Sequence, residues 1–301
     1  MKILLLGPDG QVGWELRRAL APLGQLHCLG RQSADGALCG DLSQPEALAE
    51  SVRALRPDVV VNAAAHTAVD KAEGEPALAR AINAVSPGRL AEVMADLGGW
   101  LVHYSTDYVF DGSGQAPRDE TAATGPLNTY GRTKLEGEER IRAAGGRHLI
   151  LRTSWVHAAR GGNFARTMLR LAAEREQLTV IDDQIGAPTG ADLLADIAAH
   201  AIRLAVKDSS VSGTYHAVAA GEVSWCGYAR HVLAWARQHG VALKAGPDAV
   251  VPTLTSHYPT PAARPLNSRL DTGKLRQTFG LTLPPWQTGV DRMLAEVLSI
   301  R

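Results

Sequence analysis

Lys2-Ile3-Leu4-Leu5-Leu6-Gly7-Pro8-Asp9-Gly10-Gln11-Val12-Gly13 is the stretch that decides the fold. Residues 3–6 are apolar without alternation, as expected of a strand buried on both faces of a parallel sheet. The run ends at Gly7, and residues 14–23 then place apolar side chains at helical spacing. Glycines at 7, 10 and 13 therefore sit between a strand and a helix. In that setting the first permits a tight turn, the second lets backbone N–H groups approach a pyrophosphate, and the third lets helix and strand pack closely. A glycine-rich turn without a ligand is the plainer alternative.

Working outward, the chain repeats the unit. Gln25–Leu29 reads as the second strand, and its tip is Gly30-Arg31-Gln32-Ser33. No carboxylate stands there to hold ribose hydroxyls, whereas Arg31 could meet a 2′-phosphate, so NADPH is expected over NADH. Asp41-Leu42 should follow a short strand and precede a helix start at Ser43-Gln44-Pro45-Glu46. Asp41 could accept from an adenine amino group or serve only the helix start. Val59–Asn62 is a further buried strand, ending in Ala63-Ala64-Ala65-His66-Thr67. Small residues at such a strand end leave room for a ligand. A helix over about 75–97 carries Asn83, and strands are expected at 101–105 and 148–152. This βαβ alternation implies a Rossmann-type, doubly wound parallel sheet over residues 1–153.

From 154 to 301 the pattern loosens. Helices are expected at 163–174, 191–204, 224–238 and 288–298, with a short strand near 214–218 and a strand-like Ser268-Arg269-Leu270. No linker or repeat marks a boundary, so this half reads mainly as a smaller substrate-binding lobe on the sheet edge, with chain crossing between the two parts.

The chemistry is concentrated between Leu101 and Lys134. A strand breaks at Ser105-Thr106-Asp107, a Gly/Pro-rich excursion follows, and the segment closes on Tyr130-Gly131-Arg132-Thr133-Lys134. On a helix, Tyr130 and Lys134 share a face at roughly 6 Å between Cβ atoms. Lys134 could then lower the phenol's pKa from its ordinary value, and Thr106 could complete a proton-transfer group for a carbonyl. A lone Tyr/Lys pair on a helix is more often a rim contact, so its weight comes from the surrounding pattern.

Composition removes other classes. The 31 basic and 31 acidic residues balance, giving no general attraction to nucleic acid or an anionic membrane. The three cysteines, Cys28, Cys39 and Cys226, are odd in number and lack metal-ligand spacing, as in reduced cytoplasmic proteins. The apolar run 3–6 is too short for a signal peptide or membrane span. His66 and His103 belong to no cluster with zinc spacing.

Gly7-x-x-Gly10-x-x-Gly13, Asn62-Ala63-Ala64-Ala65, the run from Tyr104 to Gly112, and Tyr130-x-x-x-Lys134 occur in order. With these motifs the chain resembles the extended short-chain dehydrogenase/reductase superfamily. Arg152-Thr153-Ser154-Trp155-Val156, the run from Asp183 to Thr189, and the run from Tyr258 to Pro265 extend the likeness nearly end to end, toward its nucleotide-sugar 4-ketoreductases.

The resemblance implies hydride transfer from NADPH or NADH to the C4 ketone of dTDP-4-dehydro-L-rhamnose. Tyr130 would be the proton donor, Lys134 would bind the nicotinamide ribose and lower the tyrosine's pKa, and Thr106 would hold the substrate oxygen. Gly10, Gln11 and Val12 would line the pyrophosphate, Asp41-Leu42 the adenine, and Ala65-His66-Thr67 the nicotinamide half. Thr106, Asp107 and Trp155 would contact the nucleotide-sugar, and Arg264 could pair with its diphosphate or remain a solvated loop residue. The resemblance further implies Mg²⁺ at a homodimer interface, held by Glu15, Asp192 and Glu296. Asp192 is one methylene shorter than the glutamate usual there, and solvated carboxylates are the plainer reading. The same residues would serve a reductase of opposite facial selectivity, forming dTDP-6-deoxy-L-talose. The regulatory β-subunit of methionine adenosyltransferase, a binding module, shares the fold; the intact Thr106/Tyr130/Lys134 set argues against a purely non-catalytic role.

Overall fold

The structure is a computed structural model that describes residues 1–31 and 38–299. Gln32 and Ser33, part of the expected second-strand tip, lie outside the described residues. Five parallel strands follow the expected order: β1 (Lys2–Leu6), β2 (Gln25–Leu29), β3 (Val59–Asn62), β4 (Trp100–Thr106) and β5 (Arg147–Thr153). The edge strand Gly213–His216 joins beside β5, giving the spatial order edge strand, β5, β4, β3, β1, β2. All pairings are parallel, with Leu6 opposite Asn62 and Asn62 opposite His103. The winding direction reverses between β1 and β3. Open α/β sheets form their ligand crevice at such a point, outside the carboxyl ends of the strands.

The absence of alternation in β1 now has its cause. Ile3 and Leu5 face one core with Leu16 and Leu20 of α1 (Gln11–Leu20) and Leu194 and Ile202 of a later helix, Ala191–Ala205. Leu4 and Leu6 face the opposite core, with Leu48 and Val52 of α2 (Pro45–Leu55). Every one of these side chains is essentially out of water, and each contributes roughly 1.5–3 kcal/mol on burial.

Between β3 and β4 the single expected helix is instead assembled from pieces. A short α3 (Val69–Gly74) precedes α4 (Pro76–Arg80), which runs through a π-type segment, Ala81–Val85, into α5 (Ser86–Asp96). Pro76 opens α4 at a position where its missing N–H costs nothing. The π segment carries Asn83, and such segments often mark functional sites. After β4 comes α6 (Thr129–Ala143), whose N-cap Asn128 accepts the Gly131 N–H at 2.8 Å.

In the second half, α7 (Phe164–Glu174), α9 (Trp225–Gln238) and α11 (Trp286–Leu298) enclose a separate apolar core with the parallel pair Leu178–Ile181 and Val250–Thr253. The intervening α8 (Ala191–Ala205) returns to pack on α1, so both halves contribute to the sheet domain. Of Ser268 to Leu270 only Leu270 makes an isolated bridge, to Arg118, and residues 38–40 form no strand. The seven-residue α10 (Gly273–Phe279) was not expected; about two turns leave little periodicity to read. Among the described residues no helix is long and apolar enough to cross a membrane.

Candidate active site

The glycine turn is built for close approach. Gly7 adopts φ +76°, and a Cβ there would lie 2.9 Å from the Ala64 backbone nitrogen. A Cβ at Gly13 would overlap the Gly7 carbonyl, so this position packs the helix on the turn rather than lining a cavity. Gly10 is the N-cap of α1, which starts at Gln11, three residues before its expected start. The first N–H groups of a helix lack intrahelical partners and favour an anion there. Gly13→Ala should displace the turn and lower NADPH affinity by more than tenfold in a fluorescence titration; unchanged affinity would show that the close packing is dispensable.

From this turn a cleft of about 620 Å³ runs across the carboxyl ends of β1, β3 and β4. Arg31, Asp41 and Leu42 line one end, Ala65 and Thr67 the middle, and Thr106, Tyr130 and Lys134 the inner end. Asp41 also accepts the Ser43 N–H at 2.9 Å, serving the turn before α2. His66 lies on an adjoining depression instead, its Nε2 3.4 Å from Glu75 and its backbone N–H donated to Asn83 Oδ1. Asn83 thus fixes the 63–67 segment, and its amide also donates to Thr133 on α6 at 3.2 Å.

At the inner end, Thr106 donates to Asp107 Oδ1 at 3.0 Å and accepts the Tyr108 N–H at 3.2 Å. Its hydroxyl and the Tyr130 phenol line the same end of the cleft. Burial pushes the phenol up to about 12, against the pull of Thr106. This corrects the expectation of a lysine-lowered tyrosine: in the cofactor-free protein Lys134 donates to the Tyr104 carbonyl at 2.6 Å, and its Nζ lies 3.0 Å from His103 Nε2. Burial brings Lys134 itself down to about 8, with Glu138 acting the other way. Burial likewise pushes the Asp107 carboxyl up to about 6, opposed by the nearby Ser268 hydroxyl and the hydrogen bond from Thr106.

Trp155 forms one wall, in a left-handed conformation at φ +48°. Such a backbone costs about 1–3 kcal/mol in a non-glycine residue and persists where its surroundings impose it. Here Trp155 stacks on Trp225, with centroids 3.6 Å apart and planes 14° from parallel. Trp225 in turn donates to Gln184 Oε1 at 3.1 Å. Both indoles line the cleft.

The glycine cradle, the small-residue middle and the Tyr/Lys/Thr end thus share one continuous cleft. A family model described as RmlD substrate binding domain matches residues 1–299. The chain belongs to this family. It is 57% identical to the dTDP-4-dehydrorhamnose reductase of Escherichia coli K12 over 299 residues, covering 99% of each chain. It is similar to the crystal structure of a dTDP-4-dehydrorhamnose reductase from Clostridium acetobutylicum, with TM-score 0.86, 33% identity and complete coverage of both chains. The Bacillus anthracis dTDP-4-dehydrorhamnose reductase in complex with NADP gives TM-score 0.85 and 32% identity, covering 98% of this chain and all of that one.

Two expectations for this RmlD-family chain meet ion pairs already made. Arg264 is already paired, donating to both carboxylate oxygens of Asp70 at 2.7 and 3.0 Å, so it ties its loop to the first turn of α3 and is not a free cation for a diphosphate. Glu15, Asp192 and Glu296 do border one small depression, but Arg292 lies among them. It donates to Asp192 Oδ2 at 3.0 Å and to Glu296 Oε1 at 3.3 Å, supplying the positive charge itself. Among the described residues no group of three or more His, Cys, Asp or Glu is arranged to hold a metal ion.

Sequence reasoning missed Trp225, because an aromatic at a helix start carries no motif. It also missed the groups behind Lys134, where a histidine in an apolar strand looks like ordinary core.

Proposed function

We propose that the protein reduces dTDP-4-dehydro-L-rhamnose to dTDP-L-rhamnose with NADPH. One observation carries this reading: the cleft that begins at the glycine turn ends at Tyr130 and Thr106. A dinucleotide cradle and a positioned acid are thereby joined in one cleft. The names of the Escherichia coli relative and of the Bacillus anthracis NADP complex support the substrate and the cofactor.

The turn at Gly7, Gly10, Gln11 and Val12 would receive the diphosphate, and Arg31, with Asp41 and Leu42, the adenosine end. Lys134 would face the ribose next to the nicotinamide. The bound cofactor supplies a hydride. As charge gathers on the C4 oxygen, Tyr130 gives it the phenolic proton and Thr106 offers a hydroxyl already in place. Asp107 sits beside Thr106 and would hold a sugar hydroxyl. The Trp155/Trp225 stack presents a flat apolar face to the deoxysugar and keeps water from the reacting carbon.

Arg31 is exposed at the cleft margin. Arg31→Ala should weaken NADPH by about 10- to 100-fold, the scale of a charge-assisted hydrogen bond, with a much smaller effect on NADH. Equal losses for both cofactors in parallel titrations would remove the 2′-phosphate role. The activity itself is tested by NADPH-dependent turnover of dTDP-4-dehydro-L-rhamnose and identification of the sugar product.

A further inference from the structure

Behind Lys134 lies a buried chain of polar groups that the proposed chemistry leaves unused. Asn62 at the end of β3 and His103 of β4 are register partners, and both are excluded from water. The Ala64 backbone N–H, which can only donate, gives its proton to Asn62 Oδ1 at 3.1 Å. That contact fixes the amide, so the group 3.1 Å from His103 Nδ1 is the Asn62 NH₂, also only a donor. His103 Nδ1 must therefore accept. A neutral imidazole has one N–H, which then lies on Nε2, 3.0 Å from Lys134 Nζ. An ammonium has no lone pair to receive it.

The geometry points to Asn62 and His103 as positioning residues that hold Lys134 as an uncharged amine in the cofactor-free protein, so that cofactor binding is accompanied by uptake of a proton. The amine accepts from His103 and donates to the Tyr104 carbonyl. For Lys134 to become an ammonium, His103 must turn a lone pair toward it and carry its proton on Nδ1. Asn62 must then rotate to present Oδ1, giving up the Ala64 N–H. The change takes one proton from solvent, with that proton added to the Lys134/His103 pair and no other group altered in charge. Ala64 packs against the Gly7 turn, so the lysine's charge is linked mechanically to the wall of the cofactor cleft.

The surrounding groups agree with this assignment. From β4, burial holds His103 well below its ordinary value, so it is neutral. Also on β4, burial raises the Tyr104 phenol, which donates to the Leu194 carbonyl and stays uncharged. From α6, Tyr130 is a neutral phenol, and Glu138 is the carboxylate that favours an ammonium. Its charge is largely spent on Arg152 of β5, which donates to it at 2.7 and 2.9 Å. A dinucleotide's phosphates would bring further negative charge into the cleft and shift the balance toward the cation.

This inference rests on the reading that the cleft takes a nicotinamide cofactor, and calorimetry separates the two. NADPH is titrated into the protein at pH 8.5 in two buffers of different ionisation enthalpy. The expected result is binding with uptake of about 0.5–1 proton, given Lys134 near 8 before binding. In His103→Gln, whose amide can turn a carbonyl oxygen to an ammonium, uptake should fall by at least about half. The limb of the kcat/KM pH profile should shift upward as well. Binding with a heat independent of buffer overturns the inference and leaves the cofactor reading intact. Equal uptake in the folded variant also overturns it. Absence of any binding heat overturns both.

Discussion

Tyr130→Phe is expected to lower kcat by at least about 100-fold, the contribution of a positioned general acid, while NADPH still binds. The substitution removes one oxygen and keeps the ring, so the edge-to-face contact with Tyr108, at 5.6 Å between centroids, survives. Thr106 keeps its bonds to Asp107 and the Tyr108 N–H, so the oxygen-binding end stays ordered. The loss should therefore fall on kcat, with the cofactor dissociation constant little changed. Stopped-flow turnover beside a fluorescence titration separates the two quantities. Near-normal turnover would take Tyr130 out of the proton-transfer step.

The largest expected effect on stability is at Glu138. Its side chain is fully buried beneath Lys134 and meets Arg152, itself 4% exposed, through two hydrogen bonds. Ser105 donates a third at 2.6 Å and Arg142 a fourth at 3.2 Å. Removing one partner of such a pair leaves an uncompensated buried charge, and Glu138→Ala should cost about 3–5 kcal/mol in urea unfolding. Burial alone would raise the Glu138 carboxyl; the bonds from Arg152, Ser105 and Arg142 outweigh it and hold the carboxyl below its ordinary 4.5. The stabilisation is therefore complete above that value and is lost as pH falls through the lower, folded value. A loss under about 1 kcal/mol would mean that Arg152 finds a new partner or water.

Local signals carried most of the sheet. Residues 3–6 are apolar because both faces of β1 are covered, and this is visible without coordinates. Gly7, Gly10 and Gly13 could be assigned distinct tasks because each answers a different steric demand of one turn. Tyr130 and Lys134 could be paired because helical spacing is fixed. What could not be read are the contacts that need three dimensions. Arg264 was available to any anion until the fold placed Asp70 beside it, 194 positions away in sequence. Arg292 falls between two carboxylates only because α8 and α11 converge. The orientation of Lys134 toward His103 depends on strand register, and the burial that raises the Tyr130 phenol is a property of the whole cleft.

The central claim is tested most directly by mixing the purified protein with NADPH and dTDP-4-dehydro-L-rhamnose, following loss of the reduced-nicotinamide absorbance, and identifying the sugar by NMR. The expected result is stoichiometric cofactor oxidation and a product with the rhamno configuration at C4. No turnover, with NADPH shown to be bound, would contradict it and make the cleft a binding site alone.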